Sequence, residues 1–145
     1  MNQSKADEAV ACFQDGFNCA QAILATYCEE FGMDRTTALR ISCGLGAGMG
    51  RLQTTCGAVT GAYLVLGLRY GKCDKEDDAA KEKTYALVRE FSERFRAKNG
   101  TTVCRELLGI DLQRDKGRAA KERVQSVCPN LVRDAAELLE QLLEP

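Results

Sequence analysis

The sequence predicts an all-α fold, a compact bundle of about six to eight helices around a buried, glycine-rich central helix. Three observations lead there. Apolar residues recur at three- and four-residue spacing in segment after segment, and no stretch alternates apolar and polar with period two. From Ile41 to Leu68 the chain carries a single charge, Arg51, in a protein where charged residues make up 28%. Within that stretch small residues stand four apart: Gly57 with Gly61, Ala58 with Ala62, and Gly67 with Gly71 just beyond. Residues four apart share a helix face. A glycine inside a helix costs about 1 kcal/mol relative to alanine, so the close approach of a neighbouring backbone must offset it. The central helix therefore runs from Thr55 to about Tyr70, buried on most sides.

The other elements follow in order. Ala9, Val10, Cys12 and Phe13 mark a first helix that Asp15-Gly16 ends. Asn18 is a good N-cap for a second, preceded by Phe17 in the position of a hydrophobic staple. Ala20, Ile23, Leu24, Tyr27 and Phe31 follow at helical spacing, and Gly32 closes it. Asp34 caps a third helix with Ala38, Leu39 and Ile41 facing inward. It dissolves among Gly44, Gly46, Gly48 and Gly50. Beyond Gly71 a long amphipathic helix starts at the N-cap Asp74, buries Thr84, Val88, Phe91 and Phe95, and stops at Asn99-Gly100. A short helix capped by Thr101 ends at Gly109, and a connector follows. Another short helix covers Ala119 to Val127. A last one opens at Pro129, a residue suited to the first helical position, and buries Leu131, Ala135, Leu138 and Leu142.

Length and charge narrow the function. A chain of 145 residues reads as one domain, residues 1–145, and buries about two thirds of its unfolded surface without a staple. A net charge of −1 gives no general attraction for nucleic acid. The uncharged run Leu52–Leu68 contains Gln53, three threonines and three glycines and falls short of the roughly 20 apolar residues of a membrane span. MNQSKADEAV lacks the basic-then-apolar pattern of a signal peptide, so the expected location is the cytoplasm. The alternating glycines do not form a nucleotide loop: Met49 and Arg51 stand where G-x-G-x-x-G needs glycine, and no strand precedes them.

Eight cysteines without a single histidine are the chemical signal. In a reducing compartment such thiols are ligands, redox centres or core residues. Cys-His, Ser-His and histidine-ligated sites within the chain are excluded. Four cysteines fall at predicted helix N-termini: Cys19 after Asn18, Cys56 after Thr54-Thr55, Cys104 after Thr101, and Cys128 before Pro129. Unpaired N–H groups and the helix dipole there favour a thiolate. Cys12 and Cys28 fall toward helix ends, Cys43 in a late apolar turn and Cys73 in an exposed-looking charged loop; each reads as structural, since free cysteine is a common small core residue. None of the first four forms a C-x-x-C, so packing must bring them together.

At Cys56-Gly57-Ala58-Val59-Thr60-Gly61 the chain resembles the C-GCAxxG-C-C proteins, a family defined by four cysteines and this motif and described as redox-active. FNCAQAIL supplies the first cysteine as Cys19, CRELLG the third as Cys104 and CPNLVRDAAELL the fourth as Cys128, in matching order over nearly the whole chain. The resemblance implies a redox or metal centre on these four, an iron–sulfur cluster or another metal ion. The donors alone do not choose between iron and zinc. Four bare thiolates repel strongly unless a cation or protons intervene; helix N-termini and Arg51 would soften that charge, and Gly57 and Gly61 would let backbone N–H groups approach the sulfurs. The alternative is thiol–disulfide exchange with Cys56 as the reactive thiolate. A third reading is a non-catalytic protein-binding module presenting the helix after Asp74. A redox partner protein is expected under either of the first two, and the small-residue helix faces also suit a homodimer.

Overall fold

The computed structural model describes residues 3–144, and among these it forms seven helices and no strand. They are α1 (Lys5–Gln14), α2 (Cys19–Tyr27), α3 (Arg35–Ser42), α4 (Gly57–Tyr70), α5 (Asp78–Asn99), α6 (Cys104–Leu108) and α7 (Arg118–Leu142). The fold is all-α, as the periodicity predicts.

Local chemistry sets most of the helix starts. Ser4, Asn18, Asp34 and Asp77 each accept a backbone N–H in the first turn of the helix they precede. At Asn18 the box is complete: its side chain takes the Gln21 N–H, and the Gln21 carboxamide takes the Asn18 N–H. Gly100 and Gly109 end α5 and α6 in the left-handed conformation; Gly32 does the same for a single 3-10 turn, Glu29–Phe31, while α2 itself stops at Tyr27 and does not run on to Gly32. Asp77, not Asp74, caps α5; Asp74 instead accepts the Glu76 N–H in the turn before it. Ile41 does not face inward. It is 52% exposed, because Ala38 and Ser42 occupy the buried face of α3.

The core is centred on α4. Gly57, Ala58, Val59, Gly61, Ala62, Val65 and Leu66 are buried along it. α2 crosses its small-residue face: a Cβ built on Gly61 would stand 2.9 Å from the Ala20 carbonyl oxygen and 3.1 Å from the Ile23 Cβ. No other residue fits that crossing without displacing a backbone. The expected reason for the glycines is therefore met at Gly57 and Gly61, whereas a Cβ on Gly67 would meet no neighbouring atom. Phe91 and Phe95 of α5 stack with rings 6.1 Å apart, and Tyr63 of α4 meets Phe91 edge-on. Tyr27 ties α2 to α7, donating its hydroxyl to Glu140 at 2.9 Å.

Two segments depart from the sequence expectation. α7 is one helix of 25 residues with Pro129 inside it, whereas the sequence predicts two helices, the second starting at Pro129. The buried stripe explains the continuity. Ala120, Cys128, Leu131, Ala135, Leu138 and Leu142 keep one face of helical spacing through the proline, and that packing outweighs the missing N–H. The second departure lies between α3 and α4. Ala47, Gly48, Met49, Gly50 and Arg51 all have positive φ, between 55° and 72°, followed by Gln53 at 56°. This is a short left-handed turn, and each non-glycine member costs roughly 1–2 kcal/mol. Hydrogen bonds offset it: Gly50 N–H to the Gly46 carbonyl at 2.9 Å, and both the N–H and the hydroxyl of Thr54 to the Gly48 carbonyl.

Candidate functional site

Three packing arrangements place Cys19, Cys56, Cys104 and Cys128. Cys19 is the first residue of α2, directly after the capping box. Asn18 also donates its amide to the Cys43 carbonyl at 2.9 Å, and Gln21 donates to the Leu39 carbonyl at 3.0 Å. The start of α2 is thereby locked to the end of α3.

Cys56 and Cys104 are set by a short exchange of backbone bonds. The Cys56 N–H donates to Thr102 at 2.8 Å and the Cys104 N–H to Thr54 at 2.6 Å, on either side of the isolated antiparallel bridge Thr55–Val103. Arg105 adds an N–H to the Gln53 carbonyl. Gln53 itself is buried and joins the far end of this clamp: its amide donates to the Ile110 carbonyl at 2.9 Å and its carbonyl accepts the Leu112 N–H at 2.7 Å. Val103, not Thr101, is the N-cap of α6; Thr101 instead receives the Val103 N–H and donates to Glu106.

Cys128 lies in the middle of α7, eleven residues past its cap Gly117. The expectation of a fourth helix N-terminus is overturned there. Three of the four cysteines sit at helix starts, and the fourth comes in from the buried stripe of the longest helix.

The four thiols line one cavity of about 120 Å³. Its other walls are chiefly apolar: Phe13 from α1, Leu107 and Leu108 from α6, Leu131 from α7, and the backbone of the left-handed turn at Ala47 and Gly48. Gly48 has no room for a side chain, since a Cβ there would come within 2.7 Å of the Cys104 Cβ. Gly57 lines the cavity, and a Cβ added there would stand 3.2 Å from the Cys19 Cβ. Gly61 lies one turn deeper, packed on Ala20 and outside the cavity. Arg51 is exposed and also outside it, so neither reaches the sulfurs.

Acidity differs sharply around the cavity. Interaction between the Cys19 and Cys128 thiols raises the Cys19 pKa, with burial adding to the effect, and lowers that of Cys128. Burial pushes Cys56 up to about 12, although the Ala58 and Val59 N–H groups pull against it. Cys104 is raised to about 11 by burial, eased by the Gln53 amide. The expected low-pKa thiolate at Cys56 is thus not what its surroundings create: the helix start is present, but desolvation outweighs it. Among the described residues no three His, Cys, Asp or Glu side chains are close enough to hold a metal ion.

The other cysteines take no part. Cys28 is buried at the end of α2, with its S–H toward the Ala25 carbonyl. Cys12 is half-buried beside the Arg35 guanidinium. Cys43 is exposed rather than a core residue, and Cys73 is exposed, as its charged loop suggests. Gln53 is the site residue that sequence reasoning passes over. Its one signal is a carboxamide inside an otherwise uncharged, apolar stretch.

No helix among the described residues is long and apolar enough to cross a membrane. No curated protein and no solved structure matches the chain significantly. The family designated C_GCAxxG_C_C, described as "Putative redox-active protein", has a model that matches residues 17–142. That span contains all four cavity cysteines, with Cys56-Gly57 in reverse of the Gly-Cys order in the designation. The match covers most of the chain, including every cavity-lining residue but Phe13, and the protein belongs to this family.

Proposed function

We propose that the four-cysteine cavity holds a small iron–sulfur cluster and that the protein exchanges electrons through it with a redox partner protein. The observation that supports this most is the convergence of Cys19, Cys56, Cys104 and Cys128, from four separate elements, on one chiefly apolar cavity. Thiolates without histidine are the donor set of such clusters. The cavity volume is close to the ~150 Å³ that admits a benzene-sized guest. Thiolate donors suit zinc as well as iron, so the metal content measured below decides between them.

Bound, a cluster supplies one-electron transfer at a potential set by its ligands, the hydrogen bonds to sulfur and its burial. The chain's part is clear in outline. Phe13, Leu108 and Leu131 exclude water. The Ala58 and Val59 N–H groups favour negative charge on the Cys56 sulfur, and the Gln53 amide on that of Cys104. Cys56 and Cys104 hold their protons at neutral pH in the free protein, so ligation must release them.

The test is iron and acid-labile sulfide per chain on protein purified without oxygen. Matching iron and sulfide, lost in Cys56→Ser and equally in Cys128→Ser, is the expected result. Protein free of iron and sulfide, even after reconstitution, overturns the reading.

One observation favours a second reading, dithiol chemistry. Cys19 and Cys128 line the same cavity, and the interaction between their thiols lowers the Cys128 pKa, which makes Cys128, not Cys56, the readier thiolate. Oxidation would join the two sulfurs and pass two electrons to an acceptor, releasing two protons. Loss of two thiols on oxidation, reversed by dithiothreitol and absent in Cys19→Ser, identifies this chemistry.

A further inference from the structure

Next to the cysteine cavity lies a surface groove of about 590 Å³. The two share a wall: Ala47, Leu112 and Val124 line both. Arg51 from the left-handed turn, Lys116 from the connector and Lys121 from the first turn of α7 reach the groove, against the single carboxylate of Asp115. Among the described residues none of these three cations lies in an ion pair, although nine such pairs form elsewhere. The first turn of α7 contains no acidic residue to offset them. Two positive charges therefore stand uncompensated around a floor of apolar side chains.

We infer that this groove binds a small organic molecule carrying at least two negative charges, such as a phosphorylated or polycarboxylate compound, at the wall of the cysteine cavity. The volume falls in the range of small-molecule pockets, about 300–1,000 Å³. Apolar floor and cationic rim divide the work between the body of the ligand and its anionic groups. The placement also accounts for Arg51, which has no role at the sulfurs. The left-handed turn that carries Arg51 turns the Ala47 and Gly48 backbone toward the thiols, so one turn serves both volumes. That the ligand gives or takes electrons rests on the redox reading above; that it binds does not.

The probe is pyrophosphate, titrated into the full chain at low ionic strength and followed by amide chemical shifts. The expected result is saturable binding with shifts concentrated at Ala47, Arg51 and 115–121. Affinity should fall at least tenfold in Lys116→Glu/Lys121→Glu and, independently, in Arg51→Glu, each checked for native circular dichroism. Shifts that never saturate, that spread over the whole surface, or that persist unchanged in both variants overturn the assignment. Because the readout involves no electron, saturable binding by a protein that proves free of iron leaves the groove standing and removes only its link to redox chemistry.

Discussion

Gly61 of α4 meets the backbone of Ala20 on α2 so closely that a single methyl group would stand 2.9 Å from the Ala20 carbonyl oxygen. That carbonyl is helical backbone and cannot turn away. Gly61→Ala is therefore expected to destabilise the fold by about 1–3 kcal/mol, the usual cost of overpacking a tight core. Gly67, on the same helix, has open space where its Cβ would be, and Gly67→Ala should stabilise by about 0.5–1 kcal/mol through helix propensity. Urea midpoints of the two variants check the contrast. Equal effects would mean that the α2–α4 crossing is looser than its geometry.

The first helix turn of α2 gives a second prediction. Asn18 uses its oxygen to cap α2 and its amide to hold the Cys43 carbonyl. Asn18→Ala removes both and should cost about 1–2 kcal/mol. Asn18→Asp keeps the capping oxygen and loses only the donor, so it should recover most of the stability. The bond to Cys43 anchors the start of α2, so Cys19 should become more reactive toward Ellman's reagent in both variants. Unchanged thiol kinetics in Asn18→Asp would show that the cap alone fixes Cys19.

How much of the fold and site is legible in the sequence follows from where the determining forces lie. Asn18, Asp34, Gly32 and Gly109 act within one turn of themselves, and short-range chemistry writes such boundaries into the sequence. The Gly57/Gly61 pair is legible as well, because glycines four apart in an apolar helix point to the close approach of a second backbone. Pro129 misleads for a physical reason: it suits a helix start, but its flanking stripe of Ala120, Leu131 and Ala135 binds to the core strongly enough to carry the helix through it. The left-handed backbone at Ala47, Met49 and Arg51 has no local signal at all, since these residues ordinarily avoid it. The Gln53 and Thr54 N–H groups hold it by bonding back to Ala47 and Gly48, and the Gln53 carboxamide ties that return to Ile110 and Leu112. The identity of the four site cysteines is readable from motif and order. The acidity of Cys56 is not, because it depends on burial that only the folded chain creates.

Alkaline pH should weaken the metal-free fold in a defined window. Cys56 and Cys104 have folded-state values of about 12 and about 11, above the ordinary thiol value of 9.0. The unfolded chain therefore releases these protons first as pH rises. Their contribution to stability is whole below pH 9 and is lost progressively between 9 and the folded values, at up to about 1.4 kcal/mol per pH unit for each group. Thermal midpoints from pH 8 to 11 should fall, and the fall should be shallower in Cys56→Ser. A profile that is the same in Cys56→Ser would place the alkaline sensitivity elsewhere.

Pro129 sets stability against the site. It offers no N–H to the Gln125 carbonyl one turn back, and a proline inside a helix costs up to about 3 kcal/mol relative to alanine. The residue directly before it is Cys128, whose sulfur must meet Cys19 from the middle of α7. Pro129→Ala restores the missing bond and is expected to raise the unfolding free energy by about 1–3 kcal/mol. Closing that bond tightens the turn that carries Cys128, which should shift its sulfur relative to Cys19, with less iron and sulfide retained per chain or slower closure of the Cys19–Cys128 pair. Both quantities can be read from one preparation. A variant that is more stable and equally competent would make the proline incidental to the site. A less stable one would show that the ring, packed where it is, supports the helix it interrupts.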